Sequence, residues 1–374
     1  MSTGPLKGLR ILEFSALGPV PFCGMLFADL GADVLRIDRP DGRRYDRYSV
    51  ETRGRRSVIL DLKDPQGSLL ALKLIEKADA LIEGFRPGVM ERLGLCPDTA
   101  LKRNPKLVYG RMTGFGQTGP YAKHPGHDLN YVALSGALHA LGPAEKPAVP
   151  LNLLGDFGGG ALYLAVGFLA ALRHVARGGK GQVIDCAMSE GVASLMGMIY
   201  GEHAAGRWRD EREKNIIDGG AHFYSNYECA DGKWIAIASI ETPFYQALLG
   251  VLGLEDDAQF AEQMNRGLWP KLKKRLAAVF RTRTRDEWCT AFDGTEVCFA
   301  PVLSLAEAPA HPQNAARGTF IEVDGVLQPA PLPRLSATPA HVHHGPRPAG
   351  DGGAEALADW GIDATLWQQA QQQQ

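Results

Sequence analysis

The sequence predicts an α/β protein, in which a large domain built on a mostly parallel, Rossmann-like sheet is followed by a smaller α+β domain. Three observations lead to this fold class. Apolar strands alternate with helical segments through the first half of the chain, which is the rhythm of βαβ units. A polar stretch, Gly206–Asp218, then ends the alternation. Beyond it a hairpin-like pair of strands precedes several helices, and 374 residues are enough for two domains.

The strands of the large domain are predicted from six apolar segments: Leu9–Phe14, Asp33–Asp38, Val58–Leu62, Ala80–Phe85, Leu107–Met112 and Gln182–Ala187. Helices are predicted between them, because the intervening stretches carry helix-start and helix-stop residues. The first covers Phe22–Leu30 and ends at the natural C-cap Gly31. The second begins at Pro65 after Asp64, and a third covers Gly158–Arg173.

The domain bounds follow from the changes of pattern. They are 1–205 for the large domain, 206–222 for a linker, 223–328 for the small domain and 329–374 for a return segment. The predicted strands of the small domain are Phe223–Glu228, Trp234–Ser239, Val297–Leu303 and Phe320–Leu327. The return segment is expected to bring a helix near Ala354–Trp360 back onto the large domain. The glutamine-rich stretch Gln368–Gln374 is expected to be frayed.

Composition narrows the class of protein. Hydrophobic content of 45% and charged content of 22% are ordinary for a soluble globular chain, and a net charge of -2 gives no field that attracts nucleic acid or an anionic membrane. The six cysteines form no C-x-x-C pair, which favours a reducing compartment. The first residues lack the apolar segment of a signal peptide, and the apolar run Phe157–Leu172 is shorter than the ~20 residues of a membrane span. We therefore expect a cytoplasmic protein without membrane or nucleic-acid partners.

The first βαβ unit imitates a dinucleotide-binding fold. Gly18 follows a strand, and Asp38 ends the next strand about 20 residues later, at the spacing of the ribose-binding acid. The glycine fingerprint is absent, because Pro19 and Pro21 stand where a pyrophosphate needs backbone N–H donors. The sequence therefore disfavours a nicotinamide-dependent dehydrogenase.

Three polar segments carry residues suited to proton transfer: Gly126–Tyr131, Asn152–Gly160 and Ser239–Tyr245. His127 follows a Pro-Gly turn, and histidine is the residue type most often used for proton transfer near neutral pH. Asp156 stands among glycines before an apolar segment, where it is predicted to be a helix N-cap that leaves backbone N–H groups open to a ligand carbonyl. Glu241 is predicted in a helix first turn, which for that residue alone is an ordinary position.

A histidine and an aspartate together suit the inversion of a carbon centre. Such a reaction needs one base on each face of the carbon, so that one removes a proton and the other returns one. A proton next to a thioester is weakly acidic, and the enolate oxygen must also be stabilised. His127, Asp156 and a helix N-terminus would meet these needs without a metal or an organic cofactor.

The segments G-H-D-L-N-Y and N-L-x-G-D-F-G-G-G closely resemble the α-methylacyl-CoA racemase branch of the CaiB/BaiF, or class III, CoA-transferase family. The resemblance extends through most of the chain, and its further segments are Ala28–Pro40, Leu60–Lys63, Arg86–Gly94 and Ala300–Ala308. It implies an acyl-CoA substrate, no separate cofactor, and an interlocked homodimer. It implies His127 and Asp156 as the acid/base pair, with Glu241 orienting His127 from the neighbouring subunit. The residues implied to support the site are Asp128, Asn130, Tyr131, Asn152 and Gly155.

Coenzyme A would bring phosphates that need basic residues. Arg39, Lys63 and Arg86 each follow a predicted strand, and the carboxyl ends of parallel strands meet at one edge of a sheet. Arg92 lies less than two helical turns beyond Arg86. A second basic cluster, with a weaker claim, is predicted in a polar loop and consists of Arg53, Arg55 and Arg56. The histidines within 341–344 lack the ligand pattern of a metal site, and no metal is predicted.

Two other functions remain open. A CoA-transferase of the same family would use Asp128 as a nucleophile that forms a mixed anhydride. A catalytically silent CoA-binding protein would not need His127, Asp156 and Glu241 together. The acyl group is not specified by the sequence. Four methionines offer either an adaptable acyl-binding surface or ordinary core: Met112, Met188, Met196 and Met198.

Overall fold

The computed structural model describes residues 4–42, 45–363, 365 and 367. The strands in these residues are β1 (Arg10–Phe14), β2 (Asp33–Asp38), β3 (Arg55–Ile59), β4 (Ala80–Glu83), β5 (Val108–Thr113), β6 (Gln182–Ala187), β7 (Tyr224–Glu228), β8 (Trp234–Ala238), β9 (Phe299–Val302), β10 (Phe320–Val323) and β11 (Val326–Pro329). The first six form one parallel sheet, as the sequence predicts.

The helices begin and end as follows: α1 (Pro19–Asp29), α2 (Pro65–Lys77), α3 (Val89–Arg92), α4 (Pro97–Arg103), α5 (Asp128–Leu134), α6 (Ala137–Ala140), α7 (Tyr163–Ala176), α8 (Met188–Leu195), α9 (Gly197–Ala204), α10 (Thr242–Leu252), α11 (Trp269–Phe280), α12 (Arg285–Phe292), α13 (Pro312–Ala316) and α14 (Gly353–Asp359). Gly31 adopts a φ of 97° directly after Leu30, the C-cap residue of α1, which confirms it as a stop residue. Asp64 precedes α2 as predicted, although its side chain makes no capping bond.

The parallel sheet has the order β3-β2-β1-β4-β5-β6. This is the order of a doubly wound fold, in which the connection reverses direction between the first and fourth strands. Successive residues of a strand point to opposite faces, so Ile11 packs into one core and Leu12 into the other. Both residues are fully buried, which explains why the strands read as continuous apolar runs.

Each face of the sheet is covered by helices. On one face Leu70 and Leu74 of α2 pack with Trp360, which follows α14. On the other face, Phe27 of α1 and Phe168 of α7 share a core. Their rings meet edge to face at 5.8 Å. The C-terminal helix α14 contacts β3 of the parallel sheet.

The third strand begins three residues earlier than the sequence predicts, and the basic cluster is not a loop. Arg55 and Arg56 belong to β3, and Arg53 precedes it. Buried carboxylates draw these arginines inward: Arg53 pairs with Asp29 at 2.6 Å, and Arg55 pairs with Glu13 at 3.1 Å. Arg56 pairs with acidic side chains on both sides of it. The prediction of an anion-binding cluster is therefore wrong.

The helix after Asn152 is longer than predicted. Wide π-type turns over Leu153–Leu162 run directly into α7, so the helix begins before Gly158 and Asp156 lies in its first turns. The prediction of Asp156 as N-cap is wrong, because Asn152 occupies that position. Gly159 and Gly160 let the wide turns pack on α8, where a Cβ would lie within 2.9 Å of its atoms.

The continuous helix Leu153–Ala176 has 24 residues and is long and apolar enough to cross a membrane by length and composition alone. Core helices of soluble proteins pass the same test. A third of its most apolar window is buried. Phe168 of this helix packs into the sheet over Gly110, where any side chain would collide with its ring.

Contacts divide the chain into two compact units. The first contains 1–135, 150–195 and 318–374; the second contains 136–149 and 196–317. These bounds differ from 1–205 and 223–328, because a short excursion after α5 joins the second unit and β10 joins the first. The expected single strand over Phe320–Leu327 is a hairpin, since Asp324 and Gly325 turn the chain with positive φ. The stretch Gln368–Gln374 lies outside the described residues.

The second unit is an α+β body with its own core. The predicted hairpin is confirmed, because β7 pairs antiparallel with β8, and β9 adds a third strand. Helices α10, α11 and α12 supply apolar residues to this core, among them Leu248, Leu272 and Trp288.

Candidate active site

A cleft of about 420 Å³ lies in the first unit where the carboxyl ends of β1, β2, β4 and β5 meet. This is the place where the strand order reverses, and it is the usual ligand site of an open α/β sheet. The residues after the strand ends that line it include Leu17, Arg39, Arg86 and Phe115. His127, Tyr131 and Asp156 line the same cleft. The fold thus brings together residues that lie up to 173 positions apart, from Ser15 to Met188.

His127 is the N-cap residue of α5 and is exposed to solvent. Its backbone N–H donates to Asn130 Oδ1 at 3.0 Å, and its carbonyl accepts from the Asn130 N–H at 2.8 Å. This exchange fixes the backbone at His127, and the residue lines the cleft and is exposed to solvent. The role of Asn130 is therefore to hold the turn that carries His127.

Asp156 is half-buried and lies in the first turns of the helix that begins at Leu153. Its carboxylate lies against Gly18, where a Cβ would stand 2.7 Å from Oδ2. Burial and the negative charge of Asp128 raise the pKa of Asp156 to about 6, against a hydrogen bond from Asn152 and the nearby His127. A carboxylate with such a pKa exchanges protons near neutral pH, as a general acid/base requires. Gly18, which mimics a dinucleotide motif in sequence, in fact makes room for this group.

Asp128 lies beneath Asp156 and is 7% exposed. Its Oδ2 accepts the backbone N–H of Asp156 at 2.7 Å, and Gly155 allows the close approach because a Cβ there would stand 2.6 Å from that oxygen. Its Oδ1 is buried without a hydrogen-bond partner among the described residues. Asp128 is therefore a buried charge that holds and electrostatically tunes Asp156. The Asp156 N–H is consequently not open to a ligand, contrary to the expectation from the sequence.

Tyr131 forms the floor of the cleft below these residues. Its ring packs on Gly114 and meets Phe115 edge to face at 4.9 Å, and its hydroxyl donates to the Gly126 carbonyl. Burial raises the pKa of Tyr131 to about 12, so the phenol stays protonated at neutral pH. Tyr131 therefore fixes the segment that leads to His127.

The predicted basic residues do not all reach this cleft. Arg39 and Arg86 line it and are exposed, whereas Lys63 and Arg92 are exposed but are not among its lining residues. The reason for Lys63 is local: β3 ends at Ile59, so the residue follows the strand by four positions rather than directly. Met112 and Met188 also line the cleft, where they present soft apolar surface.

Glu241 belongs to the second unit. It is exposed at the N-cap position of α10, and its side chain makes no capping bond there. Its carboxylate is thus available for another partner. Two aromatic residues that the sequence did not single out, Phe22 and Phe157, stack at 4.3 Å and brace α1 against the helix of Asp156. Among the described residues no group of three or more histidine, cysteine or acidic side chains could hold a metal ion.

The chain was compared with known protein families and proteins. The family model for CoA-transferase family III matches residues 6–352. α-Methylacyl-CoA racemase of Mus musculus is 47% identical over 338 residues, which cover 90% of this chain and 87% of the mouse protein. The β subunit of succinyl-CoA–L-malate CoA-transferase of Chloroflexus aurantiacus is 31% identical, with 91% and 90% covered.

The solved structures give the same result for the fold. A CaiB/BaiF family protein from Brucella suis superposes with a TM-score of 0.82 at 27% identity, covering 96% of this chain and all of that one. The match spans the parallel sheet, the cleft and the second unit. This chain belongs to CoA-transferase family III, the CaiB/BaiF family.

Proposed function

We propose that this chain is a racemase of 2-methylacyl-CoA thioesters that works by α-proton removal and return. The observation that carries the proposal is the pairing of His127 with Asp156 in one cleft, where Asp156 has a pKa of about 6. The mouse relative bearing the name α-methylacyl-CoA racemase supports it at 47% identity. Within the family, two acid/base residues around one carbon fit a racemase better than they fit a transferase, which needs a single nucleophile.

In the proposed reaction one of the two residues takes the α-proton and its electron pair moves onto the thioester oxygen. The resulting enolate is protonated from the opposite face by the other residue, so atoms and charge balance without a cofactor. The developing oxygen charge needs hydrogen-bond donors. We place them in the first turns of the helix that begins at Leu153, excluding the Asp156 N–H because it already donates to Asp128.

The CoA moiety is proposed to extend along the strand ends. Arg39 and Arg86, which line the cleft, would meet its phosphates, and Lys63 and Arg92 would add positive charge farther out. The acyl and pantetheine part would lie between His127 and Asp156. The residues proposed to shape that part of the site are Asn130, Tyr131, Asn152 and Gly155.

We further propose a homodimer in which Glu241 of a second copy orients His127. The position of Glu241 supports this, because it is exposed at the start of α10 and its side chain makes no capping bond there. The apolar helix face of the first unit supports it too, since Val166 is 66% exposed and Leu162 47% exposed. A face of that kind is typical of an interface between subunits.

The proposal also includes a cytoplasmic location and no membrane or nucleic-acid partner. The net charge of -2 supports this, since it offers no general attraction for polyanions. The packing of Phe168 into the sheet supports a core role for its helix. The large unit would bind CoA and the smaller unit would close the site of the second copy.

The alternative is a transferase in which Asp128 attacks the thioester. The 31% identity to the Chloroflexus transferase subunit supports this alternative. The surroundings of Asp128 disfavour it, because this residue is 7% exposed and one of its oxygens already binds the Asp156 N–H. A nucleophile must reach the thioester carbon, and His127 and Asp156 face the cleft more directly.

Incubation of one enantiomer of a 2-methylacyl-CoA in D₂O tests the proposal. We expect α-deuterium to appear while the configuration scrambles, with no acceptor acid present, followed by mass spectrometry and chiral analysis. A transferase would show no α-deuterium, an absolute need for an acceptor acid, and an enzyme anhydride that hydroxylamine traps. Transfer without α-exchange would contradict the racemase and assign the central role to Asp128.

A further inference from the structure

Glu83 and Arg111 form a buried ion pair beneath the cleft that the proposed reaction does not use. They stand directly opposite each other on the paired strands β4 and β5. Glu83 is fully buried, the Arg111 side chain is 8% exposed, and Arg111 Nε donates to Glu83 Oε1 at 2.9 Å. Charged groups removed from water need compensating hydrogen bonds. Here those bonds join the pair to the segment that follows β4 and lines the cleft.

The second oxygen of Glu83 holds the chain that follows β4. Its Oε2 accepts the Phe85 N–H at 2.7 Å, and the Phe85 ring is braced edge to face by Phe14 at 6.2 Å. Gly84 between them allows the chain to pass close to Val20, because a Cβ there would stand 2.8 Å from the valine methyl group. The residue immediately before Arg86 is thus anchored by its amide and by its ring.

The far end of the same loop is anchored through Arg111. Its two terminal nitrogens donate to the carboxylate of Glu91 in α3, at 2.9 and 3.3 Å. The turn into α3 closes through a hydrogen bond from the Val89 N–H to the Arg86 carbonyl at 3.1 Å. The loop that carries Arg86 is therefore tied at both ends to one buried arginine–carboxylate network.

We propose that Glu83, Arg111 and Glu91 are positioning residues that hold the Arg86 loop so that its guanidinium meets the diphosphate of CoA. This inference rests on the proposed function, because that function supplies CoA as the ligand. Arg86 is exposed at the cleft and gains affinity when its loop is already ordered before binding. The network contacts neither His127 nor Asp156, so it acts on binding rather than on proton transfer.

Direct titration of the full-length protein with CoA tests the inference. In Glu83→Gln the amide offers one acceptor to two donors, so we expect the Kd for CoA to rise about tenfold, which corresponds to about 1.4 kcal/mol. Glu91→Gln should raise it about threefold, because one link of the network is weakened. The matched control is Glu76→Gln, which breaks a pair with Arg103 between α2 and α4 and should leave the Kd unchanged.

A comparison of two substrates separates positioning from general damage to the fold. The variants should raise KM for a 2-methylacyl-CoA while kcat stays within about twofold, and they should leave KM unchanged for the pantetheine thioester, which lacks the diphosphate. Equal losses on both thioesters would overturn the inference, and so would an unchanged Kd for CoA. If Glu83→Gln fails to fold, Glu91→Gln decides, because that side chain is 43% exposed.

The failure of this inference and of the proposed function are distinguishable. CoA affinity is measured without turnover, so a wild type that binds CoA but exchanges no α-hydrogen would contradict the racemase and leave the positioning role intact. A wild type that racemises, together with variants that bind CoA equally well, would overturn the positioning role alone.

Discussion

Two pairs of carboxylates in the first unit have different surroundings. Glu13 in β1 and Asp29 at the end of α1 are each paired with an arginine. Arg53 reaches Asp29 with two nitrogens, at 2.6 and 3.1 Å. Asp156 at the cleft and Asp128 behind it lie near each other, and among the described residues neither forms an ion pair with an arginine or lysine. Glu13 and Asp29 therefore have cationic partners, whereas Asp156 lies in the field of the negatively charged Asp128.

The comparison separates what holds the fold from what performs chemistry. A buried carboxylate that binds an arginine holds the fold: burial raises the pKa of Asp29, and the hydrogen bonds and charge of Arg53 oppose that rise. A half-buried carboxylate beside another carboxylate has its pKa pushed toward the working pH, which is the property of an acid/base residue. The cleft thus keeps Asp128 close to Asp156, whereas Glu13 and Asp29 each bind an arginine.

The largest expected effect is on stability, at the buried pair of Arg55 with Glu13. Arg55→Met should lower the free energy of unfolding by about 3–5 kcal/mol, because Glu13 would be left as a buried charge without its partner. Urea unfolding followed by fluorescence measures this loss. Restoring neutrality with Glu13→Gln in the same chain should recover much of it.

A surface pair provides the control for that prediction. Arg103 and Glu76 approach to 2.6 Å, but both side chains are more than a third exposed. Arg103→Met should therefore change the free energy of unfolding by at most about 1 kcal/mol. Equal losses for Arg55→Met and Arg103→Met would contradict the structural role given to the buried pair.

The next prediction concerns Asp156, where a neutral substitution should lower activity and raise stability. Asp156→Asn should lower racemisation about 10²-fold, the scale of a lost acid/base group. The folded-state pKa of about 6 lies above the usual 3.8, so the native state loses stability as the pH rises through that interval, and the loss is complete above about pH 6. The variant should therefore melt at a higher temperature than the wild type at pH 8, with the difference vanishing as the pH falls below 4.

Thermal melts of both proteins at pH 8 and pH 4, with racemisation assays alongside, check this. A variant that loses activity and also melts lower at pH 8 would show that Asp156 belongs with the stabilising carboxylates, and the contrast between the two pairs would fail.

The smallest effect concerns the neighbour of Asp156. Asp128→Asn keeps an oxygen that can accept the Asp156 N–H but removes the negative charge that raises its pKa. The pKa of Asp156 should fall toward its ordinary value, because its ionised form is no longer repelled. The acidic limb of the pH–rate profile should move to lower pH, with activity largely retained. Complete loss of activity at every pH would instead favour Asp128 as a nucleophile.

The sequence predicted the sheet well and the local surroundings of its charges poorly. Strand alternation located the parallel strands because both faces of the sheet are apolar, so Ile11 and Leu12 are equally hydrophobic. The same argument failed at β3, because Arg55 is buried there by a carboxylate 42 positions away in the chain. Charged residues in an apolar strand can be placed only when their partners are known.

The candidate site shows the same limit. Residue chemistry singled out His127 and Asp156, and the fold brings both to one cleft. The wide helical turns that carry Asp156 were not predictable, because they depend on glycines packing closely against α8. The burial of Asp128 and its bond to the Asp156 N–H also arise only from tertiary packing. The residue types were therefore readable from sequence, but their division into reacting and supporting groups was not.

The assignment of one base to each face of the α-carbon is tested most directly by α-deuterium exchange on separate (R)- and (S)-2-methylacyl-CoA in D₂O. His127→Ala and Asp156→Ala should each keep exchange with one enantiomer and lose it about 10²-fold with the other, and the retained enantiomer should differ between the two variants. Loss of exchange with the same enantiomer in both variants, or full exchange with both enantiomers in either, would contradict the two-base account.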